Sequence, residues 1–296
     1  MIMNRFQISD KQKKISTGIL PIGQIFLNLV LACGCLVSLL PFLWIISTSL
    51  NHPVEALRMP PNFLPTSFVY QNYLAVFKEF PFFRFILNSF IVAIGVALLS
   101  LAITTLASFS FARINFKFKN TIFVIFLAGL MVPLFTTIIS NYMILARAGL
   151  INTLWALILP SIINPLHIFL TRQFMMTIPK SYEEAAEING CSRFKIFLFI
   201  ILPMTKPVLI LIILQSFIGS WNNFIAPLIF IHNNNKMTLP IGIRALQGFM
   251  GMGNISFILA GVTVSLIVPV LLYFFGQRYF IEGITLTKIK SLKTSE

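Results

Sequence analysis

Glu183, Glu184 and Glu187 stand within one and a half helical turns of one another, in a chain that has only eight acidic residues in all. Carboxylates so placed could bind a metal, share a proton as acid and base, or present negative charge to another surface. The first two uses need companions the sequence does not supply. No His-Glu-x-x-His occurs, the histidines His52, His167 and His232 are scattered, and no pair of carboxylates falls inside a long apolar run. What surrounds the glutamates is a small folding unit. Ser181 with Glu184 three residues on predicts a capping box, which would start a helix by pairing its first free N–H groups. Carboxylates in that first turn also suit the positive end of the helix dipole. Ala185 and Ala186 keep one side slim, Gly190 permits the left-handed turn that ends a helix, Ser192 can cap a second one, and Leu202-Pro203 stops it. The expected product is a helix-turn-helix that displays carboxylates. Local physics leaves two uses for it: a docking surface, or a solvated hairpin at the membrane interface with no partner.

A second candidate lies further on. Gln215, Gly219, Asn222 and Asn223 recur at i, i+4, i+7 and i+8 beside Trp221, placing amides and an aromatic face on one side of a helix, chemistry that suits a hydroxyl-rich solute. Packing between helices is the competing use, since such residues hydrogen-bond across membrane interfaces for about 0.6 kcal/mol each. The same choice applies to Ser100, Thr104 and Ser108, to Thr136, Thr137, Ser140 and Asn141, and to Ser161, Asn164 and Thr171. His167 reads as a hydrogen-bonded packing residue. Cys33 and Cys35 read as small residues inside an apolar helix, so no metal site is expected.

These groups must be held by membrane helices. The chain is 57% hydrophobic and 10% charged, with a mean hydropathy of +0.89, far from the soluble range of about a quarter charged residues. The expected fold is all-α: a polytopic membrane protein with six spans of roughly 20 residues or more, over 20–47, 85–112, 121–145, 153–171, 207–231 and 256–276. A basic start before an apolar run also describes a secretory signal, but the first run is too long and has no small-x-small cleavage site, so that helix is expected to stay. Of the 22 Lys and Arg residues, sixteen fall in the two tails and the second and fourth loops. The positive-inside rule therefore puts both termini in the cytoplasm. Charge alternating by loop, with no basic patch, excludes nucleic acid as the partner behind the net charge of +14.

The expected organisation is a basic cytoplasmic tail (1–19), a permease domain (20–276) and a cytoplasmic C-tail (277–296). The domain contains external loops at 48–83 and 233–255 and the glutamate-bearing cytoplasmic loop at 176–206. The first external loop, with Pro53, Pro60, Pro61 and Pro65, reads as a strap ending in a short interfacial helix. The other ends in Gly248-Phe249-Met250-Gly251-Met252-Gly253, whose glycines predict mobility. No Gly-Lys pair exists to build a phosphate-cradling loop, and no carboxylate falls within the expected spans to couple protons or sodium. Energy must then come from another polypeptide. The rival reading is a secondary carrier for a polar solute that uses no intramembrane carboxylate.

The pattern Glu184-Ala185-Ala186-x3-Gly190-x9-Ile200-x-Leu202-Pro203 resembles the EAA loop of binding-protein-dependent ABC importer permeases. Arg172-Gln173-Phe174, Ile178-Pro179, Ser220-Trp221-Asn222-Asn223-Phe224, Pro227-Leu228, Thr238-Leu239-Pro240 and Gln277-Arg278-Tyr279-Phe280 extend the likeness along most of the chain. Together they resemble the carbohydrate-uptake class, in particular its shorter, six-helix subunit, similar to the second maltose permease. The resemblance implies a bacterial inner-membrane permease with no catalytic site and no cofactor of its own, and a pathway for a sugar or oligosaccharide shared with a second permease, as a heterodimer. It also implies two cytoplasmic ATPase subunits that use ATP, and an external solute-binding protein. By the same resemblance, Glu183, Glu184, Ala185, Ala186, Glu187, Gly190, Leu202 and Pro203 would couple to the ATPase. Gly248, Phe249, Met250, Gly251 and Gly253 would meet the binding protein, while Gln215, Gly219, Trp221, Asn222 and Asn223 remain, on their own chemistry, pathway or packing residues. Leu286-Thr287-Lys288 departs from the small residues the family carries after the aromatic-rich stretch.

Overall fold

A computed structural model describes residues 21–56, 63–248 and 254–293. Among these residues there are helices, turns and loops and no strand. The expected tail at 1–19 lies outside them.

Three helices are long and apolar enough to cross a membrane. They lie in α1 (Pro21–Ser49), α3 (Phe82–Arg113) and α12 (Ile255–Lys293). α2 (Gln71–Glu79) is the short helix expected at the end of the first loop. The other expected spans are broken, two of them next to prolines that take a donor from the hydrogen-bond ladder. α4 (Lys119–Ala128) and α5 (Leu134–Arg147) are separated by a 3-10 turn and an extended Pro133, and their axes bend by 106°. The expected span at 153–171 is not one helix. A short turn (Trp155–Ile158) and a 3-10 turn (Leu159–Ser161) precede α6 (Pro165–Thr177). Pro165 cannot donate an N–H, and it pushes Asn164 to an extended φ of −126°, from which its side chain caps α6 by accepting from Leu166 and His167. The expected fifth span also ends early. α9 (Lys206–Trp221) stops at Asn222, and Asn223 accepts from the N–H of Ala226 to open the short α10 (Ile225–Phe230). α12, by contrast, runs past the expected Gly276 to Lys293.

α3 is the axis of the described structure, packed along its length by α9 and α6. Its small residues make this close approach feasible: Ala93, Ala97, Ser100, Thr104 and Ser108 are all buried. The Ser100, Thr104 and Ser108 stripe therefore belongs to packing, and Ser108 donates to the carbonyl of Ile168 at 3.0 Å. At one end, Phe82, Phe85, Trp221 and Leu239 form a core; at the other, Phe109, Met175, Ile178, Ala186, Ile196 and Phe197 form a second.

The loop at 233–255 is not free over its first half. α11 (Leu239–Ala245) folds back onto α3, burying Leu239, Ile241 and Gly242. Asn88 donates to the carbonyls of Asn235 and Met237 at 3.0 and 2.9 Å, and Ser89 accepts from the N–H of Leu239 at 2.7 Å. Gly248 has a left-handed φ of +65°. Phe249, Met250, Gly251 and Gly253 lie outside the described residues.

Candidate functional site: the Glu184 hairpin

α6 ends at Thr177, and Ile178 before Pro179 turns the chain in extended conformation. α7 (Ser181–Ile188) follows. The expected capping box is absent. Pro179 and Lys180 already supply the first turn's acceptors, for the N–H groups of Tyr182, Glu183 and Glu184. Ser181 is thus inside the helix, where its side chain cannot cap. The other end follows the sequence. Gly190 has φ +78°; its N–H reaches the Glu187 carbonyl at 2.9 Å and that of Cys191 reaches Ala186 at 3.0 Å, the paired bonds of a Schellman turn. A Cβ at Gly190 would meet nothing within 4 Å, so Gly190→Ala is expected to cost only the left-handed penalty of about 1–2 kcal/mol. Hydrogen exchange of the 186–191 amides should rise locally, by more than exchange elsewhere in the chain.

Ser192 caps the second helix by accepting from Lys195. This helix, α8 (Arg193–Met204), is not stopped at Leu202-Pro203. Pro203 has no N–H to give, and the turn before it, Phe197–Ile201, opens into π geometry. The chain continues to Met204 and bends by 78° into α9. Buried Thr205 sits at the bend, donating to the carbonyls of Ile201 and Leu202.

The two faces of α7 differ in chemistry. Ala186 is buried against Ile196 and Phe109 in the second core. Glu183 turns inward as well: its Oε1 lies 2.7 Å from Nε of Arg113, with side chains 17% and 6% exposed. The contact is a charge pair rather than an aligned hydrogen bond. Burial raises the Glu183 carboxyl above its ordinary pKa; Arg113 opposes this, Glu187 and Glu184 add to it and Lys180 resists. Desolvation therefore outweighs the pair's attraction, so the pair fixes geometry more than it adds stability. The native state holds this proton more firmly than the unfolded chain, so the contribution to stability falls as pH rises through the raised pKa. Glu183 is thus not on the outer surface with its neighbours. The outer face carries Glu184, Ala185 and Glu187, with Tyr182 at 51% and Ile188 at 87% exposure. Glu184 has no ion-pair partner among the described residues. A small hollow of about 60 Å³ between Arg113, Glu183, Glu187 and Arg193 separates the hairpin from the end of α3.

A family model described as the inner-membrane component of binding-protein-dependent transport systems matches residues 103–285. The chain belongs to this family. The arabinooligosaccharides transport permease AraQ of Halalkalibacterium halodurans is 32% identical over 273 residues, covering 91% of this chain and 98% of the relative. The sulfoquinovosyl glycerol permease SmoH of Agrobacterium fabrum is 30% identical, over 85% and 89% of the two chains. The sn-glycerol-3-phosphate permease UgpE of Rhizobium meliloti is 27% identical, over 90% and 98%. A crystal structure of a bacterial ABC transporter for alginate import shares the fold at a TM-score of 0.79 and 19% identity, over 88% of this chain and 96% of that one. This chain is accordingly a multi-pass inner-membrane permease of a binding-protein-dependent transport system, and the secondary-carrier reading is set aside.

Within the permease, the second candidate set divides. Gln215, Gly219 and Asn222 lie exposed on one side of α9, and a Cβ on Gly219 would meet open space. His167 of α6 faces Gln215. Trp221 is core. It is 2% exposed, stacks on Phe217, meets Phe90 edge-on at 4.9 Å, and donates to the Ser265 carbonyl. Asn223 is the half-buried cap already described. Two arginines make contacts that the sequence alone does not show. Arg113 donates to the carbonyls of Met175 and Ile178 at 2.8 and 2.7 Å. Arg172 donates to the Phe111 carbonyl and lies 4.2 Å over the Phe123 ring. Both stand where an apolar run ends in arginine, and Arg172 also belongs to the Arg172-Gln173-Phe174 likeness.

Proposed function

We propose that this permease spans the membrane six times with both termini in the cytoplasm, counting the bent α4–α5 pair, the interrupted 155–177 segment and the broken α9–α10 segment each as one crossing. It shares a pathway for a sugar or oligosaccharide with a second, different permease and is driven by ATP hydrolysed on two cytoplasmic ATPase subunits. An external binding protein delivers the solute near 248–253. The charge asymmetry supports the orientation. The names of AraQ and SmoH, whose relatedness covers most of both chains, support a glycosidic substrate. The observation that carries the reading is the outer face of α7: the carboxylate of Glu184, exposed with no ion-pair partner among the described residues, one turn before the 87% exposed Ile188. An apolar side chain beside such a charge is expensive to leave in water and suits a partner with a complementary basic group. The outer residues Glu184, Ala185 and Glu187 form the docking surface, Gly190 closes it, and Ala186, Leu202 and Pro203 support it from behind.

Affinity purification from detergent-solubilised membranes tests this reading, and an ATPase and a second permease are expected in the eluate. Recovery of the permease alone would refute it. Gln215, Gly219 and Asn222 line the path from their open side of α9. Gln215→Leu with Asn222→Leu should lower uptake of the sugar by about tenfold, as losing one or two hydrogen bonds to a solute would, while the complex still assembles. If assembly falls instead, that face packs against the second permease.

A further inference from the structure

We infer that α3 is a coupling rod, gripped at one end by Arg113 and at the other by Asn88, that links the Glu184 hairpin to the 233–248 loop. This rests on the hairpin being the motor contact, and it goes beyond that reading by naming the route and its two grips.

At the hairpin end, one planar group holds three segments. The Arg113 guanidinium donates to the Met175 and Ile178 carbonyls that close α6, while its Nε stands against Glu183 of α7. Arg113 is itself the last residue of α3. Phe109, one turn back, meets Phe197 of α8 at 5.0 Å between ring centroids. The hairpin cannot shift without moving the end of α3 or breaking these contacts.

Three described segments lead from the hairpin toward the opposite end, and two are interrupted. α6 is cut at Asn164 and the 3-10 turn before it. α8 and α9 meet at a 78° bend. α3 alone is continuous over 32 residues with no internal proline. From Arg113 back to Asn88 it spans roughly 35 Å at 1.5 Å per residue. There Asn88 donates to Asn235 and Met237, and Ser89 accepts from Leu239. A continuous helix held by side-chain contacts to the hairpin at one end and to the 233–248 loop at the other would carry coupling between them if both elements change position together.

The test uses the intact co-purified complex, with Mg-ATP plus vanadate as the probe. In a background with Cys33, Cys35 and Cys191 replaced by alanine, Gln247→Cys reports the exposed end of the loop through its labelling rate with a membrane-impermeant maleimide. Rates are normalised to the ATPase recovered. In the otherwise unaltered complex Mg-ATP should change the rate. Arg113→Lys, which keeps charge but loses the fork, and Asn88→Ala should each shrink that change by about tenfold, within the usual range of coupling between sites. The double variant should shrink it no further. Separate structural defects so far apart would add, so an additive result overturns the proposal, as does a response at Gln247→Cys that either substitution leaves intact. If Arg113→Lys fails to insert, Glu183→Gln replaces it; a normal response in that variant also overturns the rod. A complex that retains the ATPase yet shows no nucleotide response at this position refutes the rod alone. A complex that retains no ATPase refutes the docking reading first, and the rod with it.

Discussion

Glu184→Lys is expected to abolish uptake and to strip the ATPase from the purified permease, while the permease itself remains inserted. The side chain is exposed and has no ion-pair partner among the described residues, and within the chain its charge acts only as the smallest of the influences on Glu183. The intramolecular cost is a lysine near the positive end of a short helix, about 0.3–1 kcal/mol, too small to unfold a bundle held by α3. Across a docking interface the arithmetic is different. Removing one partner of a desolvated charge pair costs about 2–5 kcal/mol, and reversing the sign adds repulsion, enough to lower affinity by roughly two to three orders of magnitude. Co-purified ATPase, quantified per permease, measures this directly. Glu187→Lys, at an exposed position that borders the hollow with Arg113 and Arg193, should have the same sign and a smaller effect.

Gly242→Val is expected to cause a large loss of stability at the end of α3 away from the hairpin. A Cβ at Gly242 would lie 2.7 Å from Cγ of Phe85, a ring that is 2% exposed and held edge-on by Phe82. The ring has nowhere to swing, so α11 must lift from α3. Overpacking of this kind costs about 1–3 kcal/mol, and lifting α11 also strains the Asn88 and Ser89 bonds to the same loop. Thermal inactivation in detergent should shift down by several degrees, and proteolysis between 233 and 248 should quicken. Unchanged melting with intact protease resistance would show that the contact is soft.

Much of this was legible in the residues, for identifiable reasons. Gly190 and Ser192 announce the hairpin because a left-handed turn and a helix cap are local requirements met by few residue types. The capping box at Ser181 misled because Pro179, two residues earlier, had already started the helix. Pro133, Pro165 and the Asn222-Asn223 pair were visible too. A hydropathy window measures apolar length, however, and a broken helix of the same composition scores like a straight one. Arg113 was illegible for another reason. Its acceptors and counter-charge lie 62 to 70 positions away, and only the packing of α6 and α7 against α3 brings them together. The same holds for Trp221, whose neighbours in sequence suggest a solute path and whose neighbours in space, Phe90 and Phe217, make it core.

The central claim is that the outer face of α7 is where the motor binds, on the cytoplasmic side. Site-specific photocross-linking in intact cells tests it most directly, with benzoylphenylalanine in place of Ile188, which is 87% exposed. The account predicts one dominant adduct, to an ATP-binding subunit, and no ATPase adduct from the same probe at Gln247. Cross-linking of Ile188 to lipid alone or to the external binding protein, or of Gln247 to the ATPase, would contradict it.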